Sequence, residues 1–363
     1  MTETPTPDWA SDSGDVRLYC ADCLDILPQL PDNSIDLIAT DPPYYKVKGE
    51  DWDRQWDTPA LFIEWIGELC EQWHRVLKPN GSLYVFASPK MSARVECEVA
   101  RWFEVLNHIV WRKGHKGEHT ASSAHRTNKD ILRSFNPETE RIIFAEHFGA
   151  DNIAKGEAGY AAKCDELRGF VFEPLRAYLD GERKRAGVST RQVAGEFQKR
   201  TGSRTVTGMA GHWFTSIQWA LPTAENYNWF RQTLASLNSN GQYLRREYED
   251  LRREYEDLRR EYEDLRRPFS VSANVPYTDV WDFPTVGAYP GKHPCEKPLE
   301  MMAHIITASS KPGATVLDCF AGSGVTLQAC AKLGRIGIGI EKNAEYFAQA
   351  CEKIQPAQCE MAL

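Results

Sequence analysis

The apolar positions along the chain fall into two regular zones separated by an irregular one. In the first zone, about Val16 to Ser88, Val16–Cys20 reads as a strand. Ile35–Ala39 is an apolar run of buried-strand length that ends at Asp41-Pro42-Pro43-Tyr44. Leu61, Ile63, Trp65, Ile66, Leu69, Trp73, Val76 and Leu77 recur at helical spacing between Pro59 and Leu77. Pro79-Asn80-Gly81 then gives a stop signal, and Leu83–Phe86 reads as a short strand. The last zone, Lys292 to Ile354, predicts a helix closing over His304–Ala308 and a strand at Thr315–Leu317. A helix over Gly324–Gly334, a strand over Arg335–Ile340 and a helix over Asn343–Ile354 follow. Buried strands alternating with helices predict an α/β fold on a parallel sheet.

The middle zone, about Arg112 to Pro268, is polar and basic. Gly187 to Phe197 predicts a helix capped by Ser189, and Thr201-Gly202-Ser203 a turn. A second helix near Gly208–Trp219 would complete a helix-turn-helix within about 176–220, which places a recognition helix against DNA. Leu-Arg-Arg-Glu-Tyr-Glu-Asp then occurs three times, with leucines at 244, 251, 258 and 265 and tyrosines at 248, 255 and 262. This is a heptad seam with Tyr at a and Leu at d, and Glu249 to Arg253 and Glu256 to Arg260 are favourable i,i+4 pairs. A helix over 243–267, ended by Pro268, would be a partner-binding coiled coil or a charged helix that spaces or packs on its own domain. Its short length favours the second.

A net charge of −8 argues against nucleic acid until its distribution is considered. Basic residues gather in the middle zone, which suffices for phosphate contact. Arg112, Lys113, Lys116, Arg126, Lys129 and Arg133 form one candidate DNA-contacting stretch, with Arg191 and Arg204 in a second. Two solvated helix faces would give the same pattern. The ten cysteines are scattered, and Cys20 and Cys23 form a CxxC without a second pair, so no metal is expected. Reduced thiols and the lack of an apolar leader or span predict a cytoplasmic protein with no membrane contact and a short disordered lead over 1–15.

Two motifs carry the candidate chemistry. In Val316 to Gly324 a strand leads into a glycine-containing turn that opens a helix. Glycine there lets the backbone approach a ligand, and the helix N–H groups favour its negative portions. Glu341, at the end of the next strand, is placed to accept hydrogen bonds from ribose hydroxyls. No GxGxxG and no GK[ST] is present, which disfavours NAD and a Walker loop. In the second motif, Pro42 and Pro43 fix a rigid, extended backbone after the strand. Asp41, a neighbouring carbonyl and the flat ring of Tyr44 then suit a planar amine donor such as adenine.

These motifs, in this order, resemble the beta class of DNA amino-methyltransferases: the catalytic DPPY at 41 first, a basic insertion next, and the cofactor turn Asp318 to Gly324 last. The likeness covers about Val16 to Gly114 and Lys292 to Ile354. It includes His293 to Pro298 and Ala21-Asp22-Cys23-Leu24, and some phage and prophage relatives carry a similar insertion. It implies a Rossmann-like S-adenosylmethionine methyltransferase sheet in circularly permuted order, with a largely helical target-recognition region inserted. The catalytic half would span 16–111, the insertion 112–268 and the cofactor half 269–363. The resemblance implies that Asp318, Phe320, Gly322 and Gly324 hold the methionine part of the cofactor, Glu341 its ribose, and Asp22 and Cys23 its adenine. It sets Lys297 near the cofactor carboxylate. Asp41 and the Pro42 carbonyl of the Asp41–Tyr44 motif would take the target amine, with Tyr44 stacking on the base.

The expected reaction is methyl transfer to N6 of adenine in double-stranded DNA, by a homodimer. Cytosine N4 is the alternative, a DNA-binding regulator that kept only the fold is a rival, and an RNA or protein substrate is a third reading.

Overall fold

A computed structural model describes residues 5–114, 135, 138–148, 171–202, 208–215, 219–239, 241–265, 267–271 and 277–359. The chain divides into two compact units, Met1–Ala150 with Arg267–Leu363, and Asp151–Arg266.

The first unit begins with β1 (Trp9–Ala10), β2 (Val16–Tyr19), α1 (Cys23–Ile26) and β3 (Ile35–Thr40). Thr58 caps α2 (Pro59–Val76) by accepting from the Leu61 N–H at 3.3 Å. Phe62, Ile66, Leu69, Trp73 and Val76 form its buried stripe, as the helical spacing predicts. The expected stop at Pro79-Asn80-Gly81 is instead extended, because β4 (Leu77–Ala87) starts where α2 ends. A register shift between Ile35 and Leu37, from Ile35 opposite Leu77 to Leu37 opposite Ser82, absorbs the Pro-Asn-Gly segment. Then come α3 (Ser92–Val99), β5 (Glu104–Arg112) and β6 (Thr139–Glu146). The sheet therefore takes in residues that the polar pattern assigned to the insertion. Ile142, Ile143, Phe144 and Ala145 are buried, and that apolar run makes β6 a sheet strand.

The second unit is helical, with α4 (Glu173–Arg185), α5 (Thr190–Thr201), α6 (Ala224–Leu237) and α7 (Tyr248–Leu265). Ser189 caps α5 in a full capping box with Gln192, and Gly202 closes it at φ 66°. The predicted recognition helix differs: Gly208–Trp213 is a short 3-10 segment, and 203–207 and 216–218 lie outside the described residues. Gly208 and Gly211 weaken an α-helix there, while Trp213 and Phe214 are drawn into the unit's core. The repeat helix is also shorter than expected. Leu244 lies outside it at φ 52°, its N–H held by a Glu182 oxygen at 2.5 Å. Leu251 is fully buried, and Tyr248, Tyr255 and Leu258 pack on the same core, so the heptad face covers its own unit. Arg253 and Arg260 pair with Asp250 and Asp257 three residues back rather than with the glutamates at i−4.

The chain returns to the first unit with β7 (Val280–Asp282), α8 (Leu299–Ser309), β8 (Thr315–Asp318), α9 (Val325–Lys332), β9 (Ile336–Ile340) and α10 (Ala344–Cys359). The nine strands run β1-β2-β9-β8-β3-β4-β6-β5-β7. Because β3 is parallel to both β8 and β4, its carboxyl end lies beside that of β8. Thr40 donates to Asp318 at 3.1 Å although the two are 278 positions apart. The sheet thus joins the two motifs at one edge, the carboxyl end where open α/β sheets bind ligands.

Candidate active site

A cavity of about 480 Å³ opens at this edge, lined among others by Asp22, Asp41, Tyr44, Lys297, Phe320, Gly322 and Glu341. On the β3 side, Asp41 receives the Lys297 ammonium on Oδ2 at 2.6 Å, while buried Oδ1 has no hydrogen-bond partner among the described residues. Burial pushes the Asp41 carboxyl above its ordinary range, and Lys297 only partly offsets this. The Tyr44 hydroxyl donates to Glu140 at 2.9 Å and accepts from Lys297 at 3.0 Å. Lys297 also lies 3.2 Å from Glu140, which Lys113 meets at 2.5 Å from the other side. Burial opposes ionisation of Glu140, but Lys297 and Lys113 together hold its carboxyl down at about 2. The same anions hold Lys297 protonated, above the ordinary lysine range, in spite of its burial.

The loop after Tyr44 is strained, with Tyr45 and Lys46 at φ 64° and 58°. Buried Asp53 fixes it by accepting the N–H groups of Tyr44 at 2.8 Å, Val47 at 2.6 Å and Lys48 at 2.5 Å. Sequence reading missed both Asp53 and Glu140. Neither belongs to a motif, and nothing in the local sequence sets either apart from a solvent-facing acid.

On the β8 side, Asp318 organises the glycine turn. It accepts from the Thr326 hydroxyl at 2.6 Å and the Phe320 N–H at 3.1 Å, and burial pushes its carboxyl up to about 6. Gly322 and Gly324 sit at φ 48° and 73°, where a Cβ is disfavoured. A Cβ on Gly322 would stand 3.1 Å from the His293 ring, and one on Gly324 2.9 Å from Ala350 Cβ. Glu341 accepts the Gly322 N–H at 2.8 Å and the Asn343 N–H at 2.7 Å. Asp22 caps α1 through the Leu24 N–H at 3.0 Å and meets Lys342 at 2.8 Å. Burial of Asp22 is outweighed by these partners, and its carboxyl lies below the ordinary range. A glycine cradle, three carboxylates and the Phe320 ring in one cavity fit a nucleoside-bearing cofactor.

A model of the DNA methylase family matches residues 35–352, most of the chain. The chain belongs to this family of DNA methylases. S-adenosylmethionine is its cofactor, and DNA its substrate. This methylase is 24% identical over 339 residues to the DNA adenine methyltransferase YhdJ of Escherichia coli K12, covering 93% of this chain and 81% of the relative. It is 25% identical over 346 residues to the type II methyltransferase M.HpaI of Haemophilus parainfluenzae, covering 94% and 74%. In fold it is similar to the cytosine-N4-specific PvuII DNA methyltransferase, with a TM-score of 0.50, 13% identity and 98% and 94% coverage.

The expected DNA-contacting residues of the methylase do not share one setting. Arg112 is paired with Asp282 at 2.5 Å, and Lys113 is turned inward to Glu140, a correction to its reading as a phosphate contact. Removing one partner of a largely covered carboxylate leaves charge uncompensated, which favours keeping Lys113 at Glu140. Lys116, Arg126, Lys129, Arg133 and Arg204 lie outside the described residues, and Arg191 is exposed on the first turn of α5. Along α4 and α5, Arg176, Arg183, Arg185 and Lys199 pair with acids three residues back. Among the described residues no helix is long and apolar enough to cross a membrane, and no cluster of three or more His, Cys, Asp or Glu could hold a metal.

Proposed function

We propose that the chain transfers a methyl group from S-adenosylmethionine to N6 of adenine in double-stranded DNA. One observation carries the reading: Asp41, whose buried Oδ1 has no hydrogen-bond partner among the described residues, lines the same cavity as the glycine cradle. An exocyclic amine is a poor nucleophile because its lone pair is delocalised into the ring. Asp41 Oδ1 and the Pro42 carbonyl accept its two N–H groups and favour a pyramidal nitrogen. Asp41 then holds the proton that the amine gives up at Oδ1. Tyr44, fixed by Asp53 and Glu140, flanks the base. Asp318, Phe320, Gly322 and Gly324 hold the methionine portion of the cofactor, Glu341 its ribose, and Asp22 and Cys23 its adenine. When bound, S-adenosylmethionine supplies an electrophilic methyl on a sulfonium. The residues act mainly by orientation and fixed charge. The target base must leave the duplex stack, at a cost of a few kcal/mol.

Lys116, Arg126, Lys129 and Arg133 of one basic stretch and Arg191 and Arg204 of the other supply phosphate contacts in this reading, with Arg112 beside the first. The protein works as a homodimer in the cytoplasm. It needs no metal, so a chelator leaves the rate unchanged.

The test is incubation with methyl-labelled S-adenosylmethionine and mixed genomic DNA, followed by digestion to nucleosides and chromatography. The expected product is N6-methyladenine. Label in N4-methylcytosine would overturn the base, and absence of label with cofactor still bound would favour a DNA-binding regulator.

A further inference from the structure

We infer that Glu140 is a positioning residue for methyl transfer: it shares the Lys297 ammonium with Asp41 and so leaves one oxygen of Asp41 free for the target amine. The inference rests on the proposed reading of Asp41 as the amine acceptor. Glu140 lies on β6, away from both motifs in sequence, yet its largely covered carboxylate meets Tyr44 of the first. Its Oε2 receives the Tyr44 hydroxyl at 2.9 Å and stands 3.2 Å from Lys297 Nζ, and its Oε1 meets Lys113 at 2.5 Å. Lys297 Nζ is held at 2.6 Å from Asp41 Oδ2 and lies about equally over the Tyr44 and Phe86 rings, at 5.1 Å from each centroid.

Without Glu140, a buried ammonium would be left with Asp41 as its single carboxylate. A cation in a low-dielectric site draws both oxygens of its only anion toward itself. With Glu140 present, Lys297 has a second anion, and Lys113 neutralises what remains of that anion's charge. Asp41 can then turn Oδ1 to the amine without leaving Lys297 uncompensated. The charged and titratable groups facing Asp41 or these partners include Lys297, Tyr44, Glu140, Lys113, Asp318, Cys295 and His293. Burial chiefly raises the Asp41 carboxyl and the negative charge of Glu140 adds to it, so Glu140 contributes to the pH at which Asp41 can accept an N–H.

The test is single-turnover methyl transfer to DNA across pH, with the full-length protein and labelled S-adenosylmethionine. Glu140→Gln should slow transfer on the order of 10- to 100-fold at neutral pH and spare cofactor affinity. Removing the nearby negative charge lowers the Asp41 carboxyl, so the acid limb of the rate profile should move to lower pH. Glu140→Asp should restore part of the rate and of the limb. Lys113→Met removes the neighbouring cation without touching Asp41, so its limb should move the opposite way, to higher pH. If Glu140→Gln does not fold, that second shift decides. A slower Glu140→Gln enzyme with an unmoved limb would mean a merely structural role and overturn the inference, as would an unmoved limb in Lys113→Met. Asp41→Ala, assayed in parallel, separates the two levels: activity surviving there would instead remove the reading of Asp41 itself.

Discussion

The two units use their charges differently. In the helical unit, most ion pairs are local: Arg176 with Glu173, Arg183 with Asp180, Arg185 with Glu182 and Lys199 with Glu196 each join neighbours one turn apart, while Arg200 reaches Glu225 on the next helix. Its core is aromatic, with Trp213 set among Phe197, Phe214, Trp229 and Phe230. In the sheet unit, the decisive charges come from far apart. Lys297 meets Tyr44 across 253 positions and also binds Asp41 and Glu140, all of them largely buried. Exposed local pairs contribute roughly 0–1 kcal/mol each and support a helix. A buried cluster drawn from distant segments is costly to assemble unless geometry holds every member, so its presence marks chemistry. The gathering of one lysine between two carboxylates and a tyrosine separates the site from the scaffold, where Arg183–Asp180 is also largely buried and Arg267–Glu146 also joins distant segments.

That contrast can be broken by variants that act on one unit alone. Trp213→Ala should destabilise the helical unit by about 3–5 kcal/mol in chemical denaturation. Its cofactor affinity should stay within about twofold of wild type by calorimetry. A parallel loss of cofactor binding would mean the units are not separable in this sense. Gly324→Val places a branched side chain at φ 73° and against Ala350. Strain and overpacking of about 1–3 kcal/mol each should weaken S-adenosylmethionine binding on the order of 100-fold, with the helical unit's stability unchanged. Lys342→Ala removes a largely exposed partner of Asp22. An effect of up to about 1 kcal/mol, no more than about fivefold in cofactor affinity, is expected. Arg253→Ala and Arg260→Ala, on the exposed side of the repeat helix, should each cost less than about 0.5 kcal/mol in thermal unfolding. A larger loss, dependent on protein concentration, would point to a coiled-coil interface after all.

The sheet unit was legible because its signals are short-range. Ile35 to Tyr44 and Val316 to Gly324 each carry a strand, a turn and a functional residue within one window, and the elements around them lie close to the predicted ones, whereas β1, in the expected disordered lead, and α1, α3, β5, β6 and β7 were not predicted. The helical unit was less legible. Seven-residue periodicity cannot tell a helix that packs on its own core from one that packs on a partner. What decides is Leu251 and Tyr255 meeting Phe172 and other core residues that lie far earlier in the chain. Leu244 breaks the pattern because Glu182 captures its N–H, a long-range event that no window contains. The same limit hid Glu140 and Asp53. A single acid on a strand or in a loop is indistinguishable from a solvent-facing one until the partner strands are paired. Lys113 shows the opposite error: a basic run implied a phosphate contact, and the fold turned one member inward.

The central claim is that Asp41 presents a carboxylate oxygen to an exocyclic amine of DNA. Its most direct test compares wild type and Asp41→Ala for labelled methyl in DNA nucleosides, at saturating cofactor and with DNA binding measured on the same samples. Wild type should label N6-methyladenine, and Asp41→Ala should lose on the order of 10³-fold or more in rate while binding cofactor and DNA as before. Undiminished label in the variant would contradict the claim.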